Sequence, residues 1–287
     1  MTTQPQKLRE LLQRPGMIRS LAAHDVFSAQ VMQASGLELL FLGGFGTAAS
    51  MLGLPDVGLL TMTEMSHALR RMTSRVDIPI IADGDNGHGD LRNVARTVAE
   101  FERAGAAGII LEDQQSPKRC GHFSGKQLIP ADEMVAKLQM ALQTRQDPNL
   151  VIVARPDARA VEGLQSAMER GARYLETGVD VCFVEAPQSR EELAAIPTSL
   201  GGLQMANMLC GGQTPLASAT DLEHWGYKIM VCPIESLAAS GFAVRKLTAE
   251  LLETGQFETS AQSMLSFREV QELLGLHDIN KHPKQSV

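Results

Sequence analysis

The sequence has no apolar run approaching the roughly 20 residues of a membrane span, and its opening stretch MTTQPQKLRELLQRPG lacks the apolar centre of a secretory signal. Neither a membrane protein nor an exported one is expected, and the chain reads as cytoplasmic. Excess positive charge is missing too. A formal net charge of −7 argues against a nucleic-acid partner or an anionic membrane surface, both of which favour concentrated basic charge. The expected partner is a small molecule. Cysteine is scarce, four residues without paired C-x-x-C spacing, which offers no zinc framework and suits a reducing compartment without disulfides. Aromatics are few, one Trp, two Tyr and nine Phe against 14 Met, so the core is aliphatic. There is no G-x-x-x-x-G-K-[ST] phosphate loop. No Pro/Gly/Ser-rich linker or charge block divides the 287 residues, and 1–287 reads as one domain.

What is present is an alternation of short, unbroken apolar runs with amphipathic segments, the pattern of strands buried on both faces of a parallel sheet. Eight strands are predicted, at 18–23, 37–42, 78–82, 108–111, 150–154, 181–184, 203–206 and 229–231. Helical patterns fall at 27–34, 62–73, 91–104, 131–144, 163–177, 190–197 and 219–224, followed by a helical tail from about 236 to 287. Eight strands alternating with helices favour an α/β fold of the (β/α)8 TIM-barrel type with a C-terminal helical extension.

A barrel of this kind carries its chemistry at the C-terminal ends of its strands. Six of the predicted strands run into polar or glycine residues there: Gly43-Gly44, Asp83-Gly84-Asp85, Glu112-Asp113, Arg155, Glu185 and Asn207. Asp25 has a plainer reading, as the cap of the helix at 27–34. Asp83, Asp85 and Glu112, with Asp56 from the Gly53–Asp56 turn, would repel one another at one mouth unless they shared a cation. An all-oxygen donor set points to Mg2+ or Mn2+. Arg155 can clamp a carboxylate with its fork, and the backbone of Gly43-Gly44-Phe45 can approach another oxygen. His88, in a Gly-rich loop, reads more as a local hydrogen-bonding residue than as an acid–base group. Gly44–Ala49 fits the dinucleotide pattern G-x-G-x-x-A, but Leu52-Gly53-Leu54-Pro55 stops the following helix within about two turns, too soon for a Rossmann unit.

The stretch Lys118-Arg119-Cys120-Gly121-His122 sets a thiol among three potential cations. So placed, Cys120 is expected to be reachable and to hold a depressed pKa. Cys182, Cys210 and Cys232 lie in more apolar surroundings and read as structural.

Taken together, GLPD at 53–56, ADGDNGHG at 82–89, EDQ at 112–114, KRCGH at 118–122, VARPDA at 153–158, FVEAP at 183–187 and AN at 206–207 resemble the isocitrate lyase and phosphoenolpyruvate mutase superfamily. Within it the nearest branch is that of methylisocitrate lyase and 2,3-dimethylmalate lyase. The resemblance implies a Mg2+-dependent carbon–carbon lyase that cleaves a 2-hydroxy di- or tricarboxylate to pyruvate or a related keto acid. It implies a metal shell of Asp83, Asp85, Asp56 and Glu112, a substrate site lined by Arg155, Glu185 and Asn207, and Cys120 as the catalytic acid on a gating loop. Lys118, Arg119 and His122, with Gly121 between them, would hold the departing carboxylate. It further implies a homotetramer, a dimer of dimers, whose eighth helix swaps between neighbours. Several positions depart from the family pattern: Phe123 stands where an Arg is usual in methylisocitrate lyases, Phe41 where a Tyr is usual, Gly43 for Ser, Asn86 and His88 within ADGDNGHG, and Pro156 for Thr. Competing activities on the same site are oxaloacetate decarboxylation or hydrolysis, then phosphonate chemistry, then a non-catalytic scaffold.

Overall fold

The computed structural model describes residues 2–276, which leaves 277–287 of the expected tail outside the described residues. Eight parallel strands close into a barrel in sequential order: β1 Ile18–Ala22, β2 Leu40–Leu42, β3 Ile80–Asp83, β4 Gly108–Glu112, β5 Val151–Arg155, β6 Val181–Cys182, β7 Leu203–Asn207 and β8 Tyr227–Cys232. β8 returns to pair with β1 through Ile18↔Ile229 to Leu21↔Cys232. The helices in chain order are α1 Gln4–Gln13, α2 Val26–Ala34, α3 Gly44–Leu52, α4 Met62–Thr73, α5 Leu91–Arg103, α6 Ala131–Thr144, α7 Leu164–Leu175, α8 Arg190–Leu200, α9 Ala219–Trp225, α10 Glu235–Thr254 and α11 Phe267–Leu273.

The period of two along each strand decides which side chains reach the mouth. Leu40, Leu42, Ile80, Ala82, Ile109, Leu111, Ile152 and Ala154 pack outward against the helical layer, where α5 contributes Val94, Val98 and Phe101 from one face. Phe41, Ile81, Ile110, Val151, Val153, Val181, Phe183, Met205, Ile229 and Val231 fill the interior. Each such side chain contributes about 1.5–3 kcal/mol when fully buried. Extending the inward parity by one step from Ile81, Ile110, Val153, Phe183 and Met205 gives Asp83, Glu112, Arg155, Glu185 and Asn207. The strands therefore deliver their polar termini into the barrel axis directly above its apolar plug.

Two helices escaped the sequence reading. α1 starts from a capping box in which the Thr3 side chain accepts from the Gln6 amide. It buries Leu8 and Leu12 in the interior cluster with Ile18. Its Lys7 and Arg9 bind the Asp77 carbonyl and the Asp180 carboxylate, which precede β3 and β6, so α1 plugs the end of the barrel opposite the site. α3 is two and a half turns long and ends at Gly53 in the left-handed conformation. Asp25 caps α2 through the Ser28 amide, as its position suggested. β2 and β3 start later than predicted, at Leu40 and Ile80, with the Pro79 carbonyl just before β3 accepting the Leu40 amide.

The chain divides into two compact units, one ending at Glu235 and one beginning at Ser236. The second holds most of α10, a short 3-10 turn at Ser260–Ser263, and α11. Neither α10 nor α11 buries a residue, and Phe242, Leu252 and Phe267 stand 61%, 82% and 79% exposed.

Candidate active site

A cavity of about 380 Å3 opens at the C-terminal ends of the strands, under the loop that follows β4. Fourteen of the fifteen residues singled out in the sequence line it: Gly43, Gly44, Phe45, Asp56, Asp83, Glu112, Lys118, Arg119, Cys120, Gly121, His122, Arg155, Glu185 and Asn207. The fifteenth, Asp85, lies beyond Lys118 and faces a neighbouring hollow with Asn86 and His88.

The acids surround an ammonium. Lys118 Nζ is 2.7 Å from Asp56 Oδ1 and 2.7 Å from Asp85 Oδ1, with all three side chains buried. Burial opposes the charge on Lys118, but Asp85, Asp83, Glu112 and Asp56 outweigh it and hold the amine protonated well above its usual range. Asp83 accepts from the Gly44 amide at the start of α3 (3.2 Å) and from the Asp85 amide (3.1 Å). Asp85 itself sits at φ +49°, the left-handed region that a non-glycine residue occupies at a cost. Burial pushes Asp85 up to about 7 despite Lys118, and burial pushes Glu112 well above the carboxylate range despite Arg155. Among the described residues no three acidic, His or Cys side chains converge as direct ligands on one point. The donor chemistry nonetheless fits a hard cation. The set is all oxygen, Lys118 Nζ stands among the acids as a positive charge, and Glu112 Oε1 is buried without a hydrogen-bond partner. Gly44 leaves the necessary room, since a Cβ there would lie 3.0 Å from Lys118 Nζ and 3.4 Å from Asp56 Oδ1.

On the other side of the cavity Arg155 reaches across three carboxylates, with Glu112 at 3.3 Å, Asp157 at 3.0 Å and Glu185 at 3.3 Å, and stacks 5.5 Å over the Phe183 ring. Its guanidinium is fixed in place as a planar, permanently charged fork facing the cavity. Glu185 also pairs with His122 Nε2 at 3.1 Å. The Gln213 amide donates to His122 Nδ1 at 3.1 Å, so a neutral ring carries its proton on Nε2, the nitrogen that lies beside Glu185 and Asn207. Burial alone would raise Glu185, but Arg155 and His122 hold it ionised down to about 2.

The loop over the cavity departs from the sequence expectation at its thiol. Cys120 does not have a depressed pKa: burial pushes it up to about 11, and the neighbouring Glu185 and Asp56 add to the rise. The three cations beside it in sequence are turned elsewhere in space. Lys118 faces the acids, His122 faces Glu185, and the exposed Arg119 guanidinium donates outward to the Ser124 carbonyl. The Cys120 amide donates to the Asp56 carbonyl at 3.2 Å, tying the loop to the turn after α3. The Gln114 side chain braces the loop's root, donating to the Arg119 carbonyl and accepting from its amide. His88 donates its backbone amide to Asn86 Oδ1, a local role, and burial lowers its ring to about 4. Sequence reasoning passed over Gln213, which holds His122, and the buried pair Lys126–Asp157 below the loop. Asp157 carried a weak signal, two residues beyond Arg155; Gln213 and Lys126 carried none.

The phosphoenolpyruvate phosphomutase family model matches residues 8–252, which spans both the barrel and this loop. The chain belongs to that family. Among its relatives, a 2,3-dimethylmalate lyase of Eubacterium barkeri is 41% identical over 96% of this chain and 95% of its own length. A 2-methylisocitrate lyase of Halalkalibacterium halodurans is 36% identical over 95% and 90%. An oxaloacetate acetylhydrolase bound to the inhibitor 3,3-difluorooxalacetate superposes with a TM-score of 0.92 at 31% identity, covering 98% of this chain and 96% of that one. Two lyases and an acetylhydrolase are thus similar to this chain over nearly all of its length, and the barrel expected from the sequence is shared with the solved acetylhydrolase.

Proposed function

We propose that this protein is a carbon–carbon lyase that splits a 2-hydroxy di- or tricarboxylate of the 2,3-dimethylmalate or 2-methylisocitrate type into pyruvate or a related keto acid and a second carboxylate. The observation that carries the reading is that one cavity holds a protonated thiol, a buried acid cluster and a fixed Arg155 fork. Cleavage of this kind needs a charge sink for the keto acid, a clamp for a carboxylate and a proton for the leaving carbanion.

A divalent cation, Mg2+ or Mn2+, held by Asp83, Asp85, Glu112 and Asp56 directly or through water, would supply chelation of the 2-hydroxyacid and stabilise the developing keto oxygen. Arg155 and the first-turn amide of α3 at Phe45 bind carboxylate oxygens, while the Gly44 amide is held by Asp83. A general base takes the C2 hydroxyl proton, the C2–C3 bond breaks to leave the keto acid, and the electron pair of that bond passes to the carbon alpha to the second carboxylate. Cys120 delivers its proton to that carbon. Its raised pKa suits a donor, since the thiol stays protonated until the carbanion forms. Asn207, His122 and Lys118 orient the substrate, and the loop keeps water from the carbanion. Arg119 lies at the rim.

A second reading, hydrolysis or decarboxylation of oxaloacetate on the same site, is supported by the likeness to the acetylhydrolase. The test is keto-acid or oxalate release from 2,3-dimethylmalate, 2-methylisocitrate, citramalate, malate and oxaloacetate with Mg2+. Turnover of a hydroxyacid supports the lyase, and turnover of oxaloacetate alone supports the second reading. We also propose a cytoplasmic homotetramer, a dimer of dimers in which tail helices pack against neighbouring copies. The exposed apolar residues of α10 and α11 support this, and sedimentation analysis tests it. No helix among the described residues is long and apolar enough to cross a membrane.

A further inference from the structure

The loop bearing Cys120 is fastened at a point that the chemistry above does not use. Lys126 follows the exposed Ser124-Gly125 and precedes the exposed Gln127, yet its side chain is only 1% exposed, and that of its partner Asp157 is 0% exposed. A lysine readily lets its long stem carry the ammonium to water, so a fully buried one requires partners that hold it. Lys126 has two. Its ammonium donates to the Gly121 carbonyl at 2.5 Å and to Asp157 Oδ1 at 2.8 Å. Asp157 is fixed in turn by Asp113, whose carboxylate accepts the Asp157 amide at 2.8 Å, and it also pairs with Arg155.

Gly121 is where the loop rests on the strand ends. A Cβ added there would come within 2.4 Å of Arg155 Nη2 and 2.6 Å of Glu185 Cδ. Its φ lies outside the left-handed region, so the backbone tolerates a side chain and only the closed loop does not. The carbonyl that Lys126 grips therefore belongs to the loop residue that leaves no room for a side chain beside Arg155 and Glu185, immediately after Cys120.

We propose that Lys126 is a positioning residue that latches the Cys120 loop shut, using Asp157 as a carboxylate shared with Arg155. The latch sets how far the thiol is enclosed and keeps the loop in register with the arginine that clamps the substrate. The proposal rests on the lyase reading only for its effect on turnover, because thiol accessibility reports the latch without substrate.

The experiment is alkylation of the full-length protein with iodoacetamide, with labelling at each cysteine resolved by peptide mass spectrometry. Lys126→Met keeps the aliphatic stem and leaves Asp157 paired with Arg155. Cys120 labelling is expected to rise about tenfold, the effect of losing one charge-assisted hydrogen bond. Labelling of the exposed Cys210 should stay within twofold. Lys126→Gln, shorter and uncharged, should give the same direction and serves if the Met variant does not fold. Gly121→Ala, with Lys126 intact, should also raise Cys120 labelling because the closed loop no longer fits. Unchanged Cys120 labelling in the Lys126 variants overturns the latch, whatever Gly121→Ala does. A rise in a protein that cleaves no hydroxyacid keeps the latch and refutes the lyase; turnover without a rise does the reverse.

Discussion

Replacing Gly44 by Ala should separate the fold from the site, because the two respond in opposite directions. Gly44 is the first residue of α3 and has an ordinary helical backbone, so Ala gains up to about 1 kcal/mol in helix stability. For a barrel of this size that corresponds to a rise of roughly 2–4 °C in Tm. No backbone atom lies in the way of the new Cβ. Its three nearest neighbours are Lys118 Nζ at 3.0 Å, Asp56 Oδ1 at 3.4 Å and Asp83 Oδ2 at 3.5 Å, and the ammonium at the end of its flexible stem can shift. The methyl group instead takes up volume between the acid cluster and the α3 amides, where the substrate carboxylate is placed by the proposed chemistry. A displacement of about 1 Å at such a point costs roughly 100-fold in rate, or about 2.7 kcal/mol in the barrier. Thermal melting followed by steady-state keto-acid release tests both halves. An unchanged or raised Tm with kcat/KM reduced about 100-fold is expected. Native kcat/KM, or a Tm lowered by about 5 °C or more, would refute the reasoning by showing that Gly44 serves the helix and not the cavity.

Further outcomes follow from the same geometry. Cys120 acts as an acid in its protonated form, and burial holds its pKa near 11, above the ordinary thiol value of about 8.5. Its contribution to kcat/KM should therefore persist through neutral and mildly alkaline pH and be lost only as the pH rises toward 11; a Cys120-dependent fall between pH 6 and 8 would contradict the assignment. Arg155→Lys replaces a fork held among Glu112, Asp157 and Glu185 by a point charge, and should cost about 100-fold or more in kcat/KM with the melting curve still cooperative. Isothermal titration with Mn2+ should show weaker binding after Asp83→Asn, with a loss of about tenfold or more, and equal affinity in the two proteins would remove Asp83 from the metal shell. Phe242→Glu on the exposed face of α10 should reduce the assembly seen by sedimentation while leaving the barrel's far-ultraviolet spectrum intact.

The barrel was legible because its strands are apolar on both faces and because polar residues recur at the same end of five of them, with a glycine pair at a sixth. Their place just past the C-terminal strand ends made Asp83, Glu112, Arg155, Glu185 and Asn207 readable as one site. α1 was missed because its apolar side is short, Leu8 and Leu12 with Leu11 beside them, too few positions to stand out among the charged residues of KLRELLQR. The thiol was misjudged for a different reason. Adjacency in KRCGH suggested three cations around Cys120, whereas the loop sends Lys118, Arg119 and His122 in three directions and leaves the sulfur among buried carboxylates. The Lys126–Asp157 pair links a loop to a strand end 31 residues away, and no spacing rule marks such a buried ion pair.

The most direct test of the account compares native protein with Cys120→Ser on one hydroxyacid, 2,3-dimethylmalate, and on oxaloacetate, each with Mg2+ and with keto acid or oxalate release followed. The account predicts hydroxyacid cleavage in the native protein that falls by about 100-fold or more in the Ser variant, as loss of a general acid requires. Cleavage that survives the substitution, or turnover confined to oxaloacetate, would contradict it.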